Sequence, residues 1–399
     1  MTEGPDINGI SWAFFEEDDT ELSPLMVAVV ARRPVGRGAD GKVEWAHALG
    51  DEEVARAVRA AVATGADVNR LLRGAQPLLT FCAARGCMEA VKACLAAGAE
   101  VNAEGDDGFV VWWTALVRAG RGGHEAVVEA LLEAGASAAV GSRGGDETLV
   151  AVCGGRPTLG IVRRLAEAGA NVNAVHDDGC SPLHNAADRG NVVIVEALVE
   201  LGADLISADN REWAAMHYAA NGEVLRWLAA RGVSVQGDGF HESPLMRACD
   251  LGRIDAVRAL LELGADVNGR GWEANTALHS AVACDLEVAA VEIAQLLLAA
   301  GADVKAVNDD DQTPLHCVRH AGCVDALLDA GADLEARDLE GRTPIRNAAI
   351  DINWRPTVAK AVLRLADRGA DLVNTGGEPG YMERIVAELR AERSHSQPG

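Results

Sequence analysis

Few aromatic side chains, a deficit of basic charge and no long apolar run narrow what this chain of 399 residues can be. Phe, Tyr and Trp together supply only 4% of it, although 49% is hydrophobic. That balance disfavours one large core and suits thin, Ala-rich helices packed closely in layers. Lys and Arg number 36 against 60 Asp and Glu, a net charge of −24. Nucleic-acid binding relies on Lys and Arg to displace phosphate counterions, so no nucleic-acid ligand is expected. An acidic surface instead keeps a long chain soluble and attracts a basic or mixed-charge partner. No stretch of about 18 apolar residues occurs, and MTEGPDINGI lacks the basic start and apolar run of a leader. Membrane insertion is therefore not expected. The expected location is the cytoplasm, with the nucleus left open.

Catalytic and metal motifs are also missing. His124 and Glu125 begin an H-E-x-x-H pattern, but Val128 stands where its second His belongs, and no C-x-x-C pair exists. The nine Cys are an odd set at small-residue positions, which reads as buried thiols in a reducing compartment. His316, Cys317, His320 and Cys323 alone have the spacing of a zinc site. No catalytic, cofactor-binding or metal residue is assigned, and no cofactor is expected.

What the chain does have is a recurring unit. From Asp177 to Leu205, DDGCSPLHNAADRGNVVIVEALVELGADL, a turn at Ser181, Pro182, Leu183 and His184 opens a short helix that Gly190 closes. A second helix follows with Val195, Leu198 and Val199 on one face, and Gly202 ends it where a left-handed residue is needed. That helix-ending Gly returns at Gly65, Gly98, Gly135, Gly169, Gly202, Gly232, Gly264, Gly301, Gly331 and Gly369. Turn segments precede it in phase, among them SPLMRA at Ser243, TALHSA at Thr276, TPLHCV at Thr313 and TPIRNA at Thr343.

This pattern resembles the ankyrin repeat, with its period of about 33 residues and T-P-L-H-x-A signature. Ten repeats are read, some degenerate, and only His184, His217, His279 and His316 keep the signature His. The resemblance implies an all-α, ankyrin-repeat solenoid of stacked helix-turn-helix units with β-hairpin fingers. It also implies that His316 hydrogen-bonds its turn, which competes with the zinc reading. Asn69, Asn102, Asn173 and Asn268 follow the helix-ending Gly at one offset and read as turn caps; the family resemblance adds that such Asn can be hydroxylated.

Residues 1–20 form an N-terminal tail or cap holding Trp12, Phe14 and Phe15, residues 21–373 the repeats, and residues 374–399 a capping helix and tail with Tyr381, Ile385 and Leu389 at four-residue spacing. The first repeat is interrupted by an insertion at 31–50. Within it GRGADGK, residues 36–42, nearly completes a phosphate-cradling loop, but Val43 stands where Ser or Thr should hold magnesium, and a flexible surface loop is the preferred reading. Gly154, Gly155 and Pro157 should shorten or break the first helix of repeat four. Repeats six and nine lose residues between their helices. Repeats eight and ten gain them there, around 285–291 and 350–356.

Trp is the stronger functional signal, with eight Trp against five Phe and two Tyr. Trp112 and Trp113 lie in an enlarged hairpin, Trp213 just before the turn of repeat six, and Trp272 in the hairpin before repeat eight. Asp107, Asp178 and Asp310 share such hairpins. In ankyrin proteins these fingers face the partner. Trp is favoured at interface hot spots for its apolar area and its donor, while packing on the adjacent repeat is the alternative for each ring. The expectation is a non-enzymatic protein-interaction module (adaptor, scaffold or inhibitor), a monomer on its own, binding another protein on the finger and first-helix face. The flanks are too short for a catalytic domain. The alternatives are a structural subunit of a large intracellular assembly and, more remotely, nucleotide binding through residues 36–42.

Overall fold

Short helices dominate, and each is explained by the pattern that marks its ends. The structure, a computed structural model, describes residues 34–37, 43–45, 50–63, 65–69, 77–106, 112–139, 147–237, 242–352, 356–374 and 380–395. All ten expected second helices are present among them, from Asp51–Ala63 to Ala359–Asp367. The first helices run from Leu78–Ala84 in repeat two to Pro344–Asp351 in repeat ten. Most second helices are nine residues long, as in Val192–Glu200, where Ile194, Val195, Ala197 and Leu198 are buried. Helices this short are marginal in isolation. Burial of a side chain such as Leu198 stabilises by about 1.5–3 kcal/mol, so packing against neighbours holds them.

The stop signals act by geometry. Every helix-ending Gly has a positive φ, from 84° at Gly98 to 97° at Gly369. In repeat five the Gly202 N–H bonds the Val199 carbonyl at 3.0 Å and the Ala203 N–H bonds the Leu198 carbonyl at 2.9 Å, a Schellman ending that satisfies two orphan carbonyls. At the other end Ser243 accepts from the Met246 N–H at 3.2 Å, and Thr158 from the Ile161 N–H at 3.2 Å.

The chain divides into two units, residues 1–186 with 193–204 and residues 187–192 with 205–399. In the first, the second helices of repeats one and two pack together, as do the first helices of repeats two and three. Arg164 pairs with Glu129, and Arg163 with Glu200 at 3.1 Å. In the second unit Arg226 pairs with Glu262 at 3.0 Å, Arg258 with Glu292 at 2.5 Å and Arg364 with Asp325 at 2.8 Å, each pair joining neighbouring second helices. Exposed pairs of this kind contribute little stability, about 0–1 kcal/mol each. They do engage Arg163, Arg164, Arg226, Arg258 and Arg364 of these helices.

An amide clasp ties repeat to repeat. Asn173 Nδ2 donates to the Gly202 carbonyl at 2.9 Å, and its Oδ1 accepts from the Asp204 N–H at 2.9 Å. Asn69, Asn102 and Asn268 repeat both bonds on the following helix end. Gln236 does the same with Gly264 and Asp266. The Asn positions are thus more than local turn caps, since each clasp joins residues about one repeat apart.

Several expectations are corrected. In repeats six and nine the loss falls in the first helix, which shrinks to Ala215–Tyr218 and to a 3-10 turn, Pro314–Cys317. The next residues turn extended, and the Ala220 and Arg319 N–H groups bond the Ala187 and Val282 carbonyls of the preceding repeat at 3.0 and 3.2 Å. Arg253 reaches over the shortened repeat six, bonding the Tyr218 carbonyl at 2.6 Å and Asp188 at 2.5 Å. The extra residues of repeat eight lengthen its second helix to 13 residues, Glu287–Ala299, rather than a loop. The first helix of repeat four, Thr148–Cys153, stops at Gly154. Among the described fingers only Glu104–Asp106 and Trp112–Thr114 pair as strands, with a single bridge between Ala208 and Ala214 elsewhere.

Within the insertion, Pro34–Arg37 and Val43–Trp45 pair antiparallel. A strand therefore follows Lys42 where a phosphate loop needs a helix N-terminus. Near the C-terminus Tyr381–His395 is helical, but its buried residues are Met382 and Val386, one step round from the expected row. Trp12, Phe14 and Phe15 lie outside the described residues.

Candidate functional site

The fingers position the candidate residues through a shared turn. Three residues ahead of several first helices the chain takes a positive φ, and Gly179 (84°) and Gly341 (74°) provide it ahead of Pro182 and Pro344. An Asx side chain near the start of the turn then gathers N–H groups. Asp209 accepts from the Arg211 and Trp213 N–H groups at 2.9 and 2.8 Å and from the Tyr218 hydroxyl at 2.6 Å. Asn308 accepts from the Asp310 and Gln312 N–H groups at 3.1 and 2.9 Å.

In the first unit Trp113 stands on the strand Trp112–Thr114. It is half-buried, with the guanidinium carbons of Arg118 and Arg121 4.6 and 4.3 Å from its ring centroid. Arg121 also donates to the Ala151 carbonyl at 2.5 Å, so this ring is braced from the neighbouring repeat. Asp107 and the Trp112 side chain lie outside the described residues. Asp178 is a turn brace: its carboxylate accepts from the Cys180 N–H at 3.0 Å and lies 3.3 Å from His176 Nδ1. Burial alone would raise its carboxyl; the Cys180 N–H and His176 outweigh that and hold it below the usual value.

The second unit holds the remaining candidates. Trp213 is half-buried, near-parallel to His217 at 6.4 Å and edge-on to Tyr218 at 6.1 Å between centroids. Arg211 and Arg247 lie 5.1 and 4.6 Å from its ring centroid. Trp272 differs in being 66% exposed, the one candidate Trp of the described side chains that its own fold leaves largely uncovered. Asp310 is exposed; its carbonyl accepts from the Leu339 N–H at 3.0 Å, and the Asp309 N–H bonds the Glu273 carbonyl at 2.9 Å, which links successive fingers.

Trp213 and Trp272 border one open concavity of about 390 Å³, with Asn210, Arg211, Glu212 and Glu242. Asp310 is not among its lining residues. Burial pushes the Glu242 carboxyl above its ordinary value, and nearby Arg247 and Arg211 only partly offset this. Sequence reasoning missed Glu242 and Arg247. Their spacing from Trp272 has no local periodicity, and only stacking of repeats six to eight brings them to one place.

The signature His residues have structural work. His316 Nδ1 accepts from the Thr313 N–H at 3.1 Å and faces its hydroxyl at 2.9 Å, while Nε2 donates to the Arg342 carbonyl at 3.1 Å. His320 Nε2 lies 2.9 Å from the Cys284 carbonyl. Both nitrogens of His316 are therefore engaged. Among the described residues no cluster of His, Cys, Asp and Glu could hold a metal ion. No described helix is long and apolar enough to cross a membrane.

Residues 149–237, 234–308 and 286–375 match three copies of a family model described as ankyrin repeats. The chain is 31% identical over 227 residues to the ankyrin repeat and KH domain-containing protein mask-1 of Caenorhabditis elegans, covering 55% of the chain and 8% of that protein. It is 28% identical over 382 residues to the E3 ubiquitin-protein ligase KEG of Arabidopsis thaliana, covering 86% of the chain and 23% of that protein. The chain thus spans less than a quarter of either relative. A crystal structure of the human ASB11 ankyrin repeat domain is similar at 28% identity and a TM-score of 0.42, over 64% of this chain and 98% of that one.

Proposed function

The chain belongs to the ankyrin-repeat family, whose repeats mediate protein–protein interaction, and from that premise we propose a non-enzymatic adaptor, scaffold or inhibitor that holds a protein partner on its finger and first-helix face. The observation that carries the reading is Trp272, 66% exposed beside the concavity that Trp213 and Glu242 also line. A large amphipathic ring left uncovered in this way is the kind of anchor that dominates interface energetics. The ion pairs along the second helices support the same side, because Arg164, Arg226, Arg258 and Arg364 there are already engaged by neighbouring repeats. A net charge of −24 favours a basic or mixed-charge partner. Trp113 serves as a second, braced anchor, and Asp178 and Asp310 tune the field at the finger tips.

The test is affinity capture from native extract, comparing wild type with a Trp113→Ala, Trp213→Ala, Trp272→Ala variant of unchanged circular dichroism. Loss of one stoichiometric partner is expected. Equal capture by the variant would remove this face from the function.

A second reading, a structural subunit using several surfaces, draws on Leu286 (58% exposed) and Val288 (79% exposed), which start the lengthened helix of repeat eight. It requires the protein to sediment in extract as part of a large particle. Free monomer there would end it.

A further inference from the structure

Three fingers of the second unit place a side chain where Gly179 and Gly341 stand in other repeats: Glu212 (φ 64°), Ala274 (55°) and Asp311 (56°), with Glu273 (54°) beside Ala274. Left-handed backbone costs an L residue about 1–2 kcal/mol. Such strain clusters where a site demands it. Glu212 lines the concavity itself, and Glu273 and Ala274 directly follow Trp272, which lines it too. Two of the three strained turns thus present this surface.

The lining decides what fits. Trp213 already carries the guanidiniums of Arg211 and Arg247. Trp272 remains 66% exposed. Glu242 is half-buried, and its carboxylate makes no hydrogen bond or ion pair with a described residue, whereas Arg247 pairs with Asp250 at 3.3 Å. Around the concavity Arg211 and Arg247 therefore stand against Glu212, Glu242 and Asp250, leaving an anionic excess next to Trp272, which is 66% exposed. A half-buried carboxylate with no donor is costly and is relieved by an incoming cation. A planar guanidinium meets both demands, stacking on an indole as Arg211 does on Trp213 while presenting a donor fork to a carboxylate.

We propose that this concavity receives an arginine side chain from an extended segment of the partner protein, with its guanidinium stacked on Trp272 and paired with Glu242. The proposal rests on the partner-binding reading above and adds the chemistry of the contact.

The probe is N-acetyl-arginine amide, titrated against protein selectively labelled at Trp indole nitrogen, with the citrulline, lysine and leucine amides as comparisons. The Trp272 indole resonance, assigned with Trp272→Phe, should shift and saturate with the arginine amide alone. Glu242→Gln should weaken binding about five-fold, and Trp272→Ala about three-fold. An equal response to the neutral citrulline or leucine amide would overturn the proposal, as would unchanged affinity in Glu242→Gln. Equal response to the lysine amide would overturn the guanidinium assignment. The two readings fail separately. Trp-dependent capture without arginine-amide binding refutes the guanidinium contact alone, and arginine-amide binding without Trp-dependent capture refutes the partner reading alone.

Discussion

Replacing His316 with Ala tests how the signature turn joins one repeat to the next. The ring is 2% exposed and links three groups: it accepts from the Thr313 N–H, faces the Thr313 hydroxyl and donates to the Arg342 carbonyl of repeat ten. In His316→Ala the Thr313 N–H loses its partner in the interior, at about 1–3 kcal/mol. The Arg342 carbonyl is only partly buried and recovers water, so its loss lies at the low end of the same range. With the packing of the ring added, the expected destabilisation is about 3–4 kcal/mol. Repeat arrays can unfold in parts, so a global midpoint is not enough. Urea titration should therefore be paired with hydrogen exchange, and amides of Pro344–Asp351 should lose protection more than those of Leu78–Ala84. His176→Ala is the control: its side chain is 51% exposed, and the expected change is within about 0.5 kcal/mol. A loss under about 1 kcal/mol in His316→Ala, or unchanged protection in repeat ten, would refute the argument that the ring ties the two repeats.

Burial pushes His279 and His316 below the ordinary imidazole value of 6.5. The unfolded chain then binds more protons below that pH, so stability from these groups is full above 6.5 and declines as pH falls toward the folded-state values. A variant lacking both rings should show a smaller drop in urea midpoint between neutral and mildly acidic pH. Arg253→Ala should cost about 1–2 kcal/mol, discounted because Asp188 is 41% exposed, and Arg253→Lys should not restore it, since one ammonium replaces a fork spanning two acceptors. A fully restored midpoint in the Lys variant would contradict the bridge. Burial raises the Cys153 thiol to about 12, so iodoacetamide at mildly alkaline pH should label it only after denaturant is added, as mass spectrometry can read. Ala274→Gly should stabilise by about 0.5–1 kcal/mol, relief of left-handed strain outweighing the added freedom of the unfolded chain; a lower thermal midpoint would count against strain in that finger.

Local rules made the repeat phase legible from the chain alone. A Gly that ends a helix in left-handed geometry, a Ser or Thr that caps the next one and apolar residues every three to four positions act within a single repeat, where near neighbours in sequence are near in space. That is why Gly65 through Gly369 all have positive φ and why His316 meets Thr313. Where the phase slipped, local spacing misplaced the change. It put the losses of repeats six and nine between the helices, whereas each was absorbed by a one-turn first helix whose next N–H bonds the preceding repeat.

The candidate site depended on stacking. Composition singled out Trp113, Trp213 and Trp272 alike, yet Arg118 and Arg121 lie against the first, Arg211 and Arg247 against the second, and the third remains exposed. Glu242 carried no mark in the sequence, because its neighbours Trp213 and Trp272 belong to other repeats. The same holds for Gln236, which does in repeat six what Asn does elsewhere. Residue order by itself determined where the repeats fall and where each second helix ends, since those choices are settled by backbone geometry within a few residues. Tertiary structure decided which side chains are braced, which carboxylate is left half-buried and which ring faces solvent, because each of those states is a balance of burial and charge to which residues about a repeat away contribute, as Arg247 does at Trp213 and Ala151 does through Arg121 at Trp113.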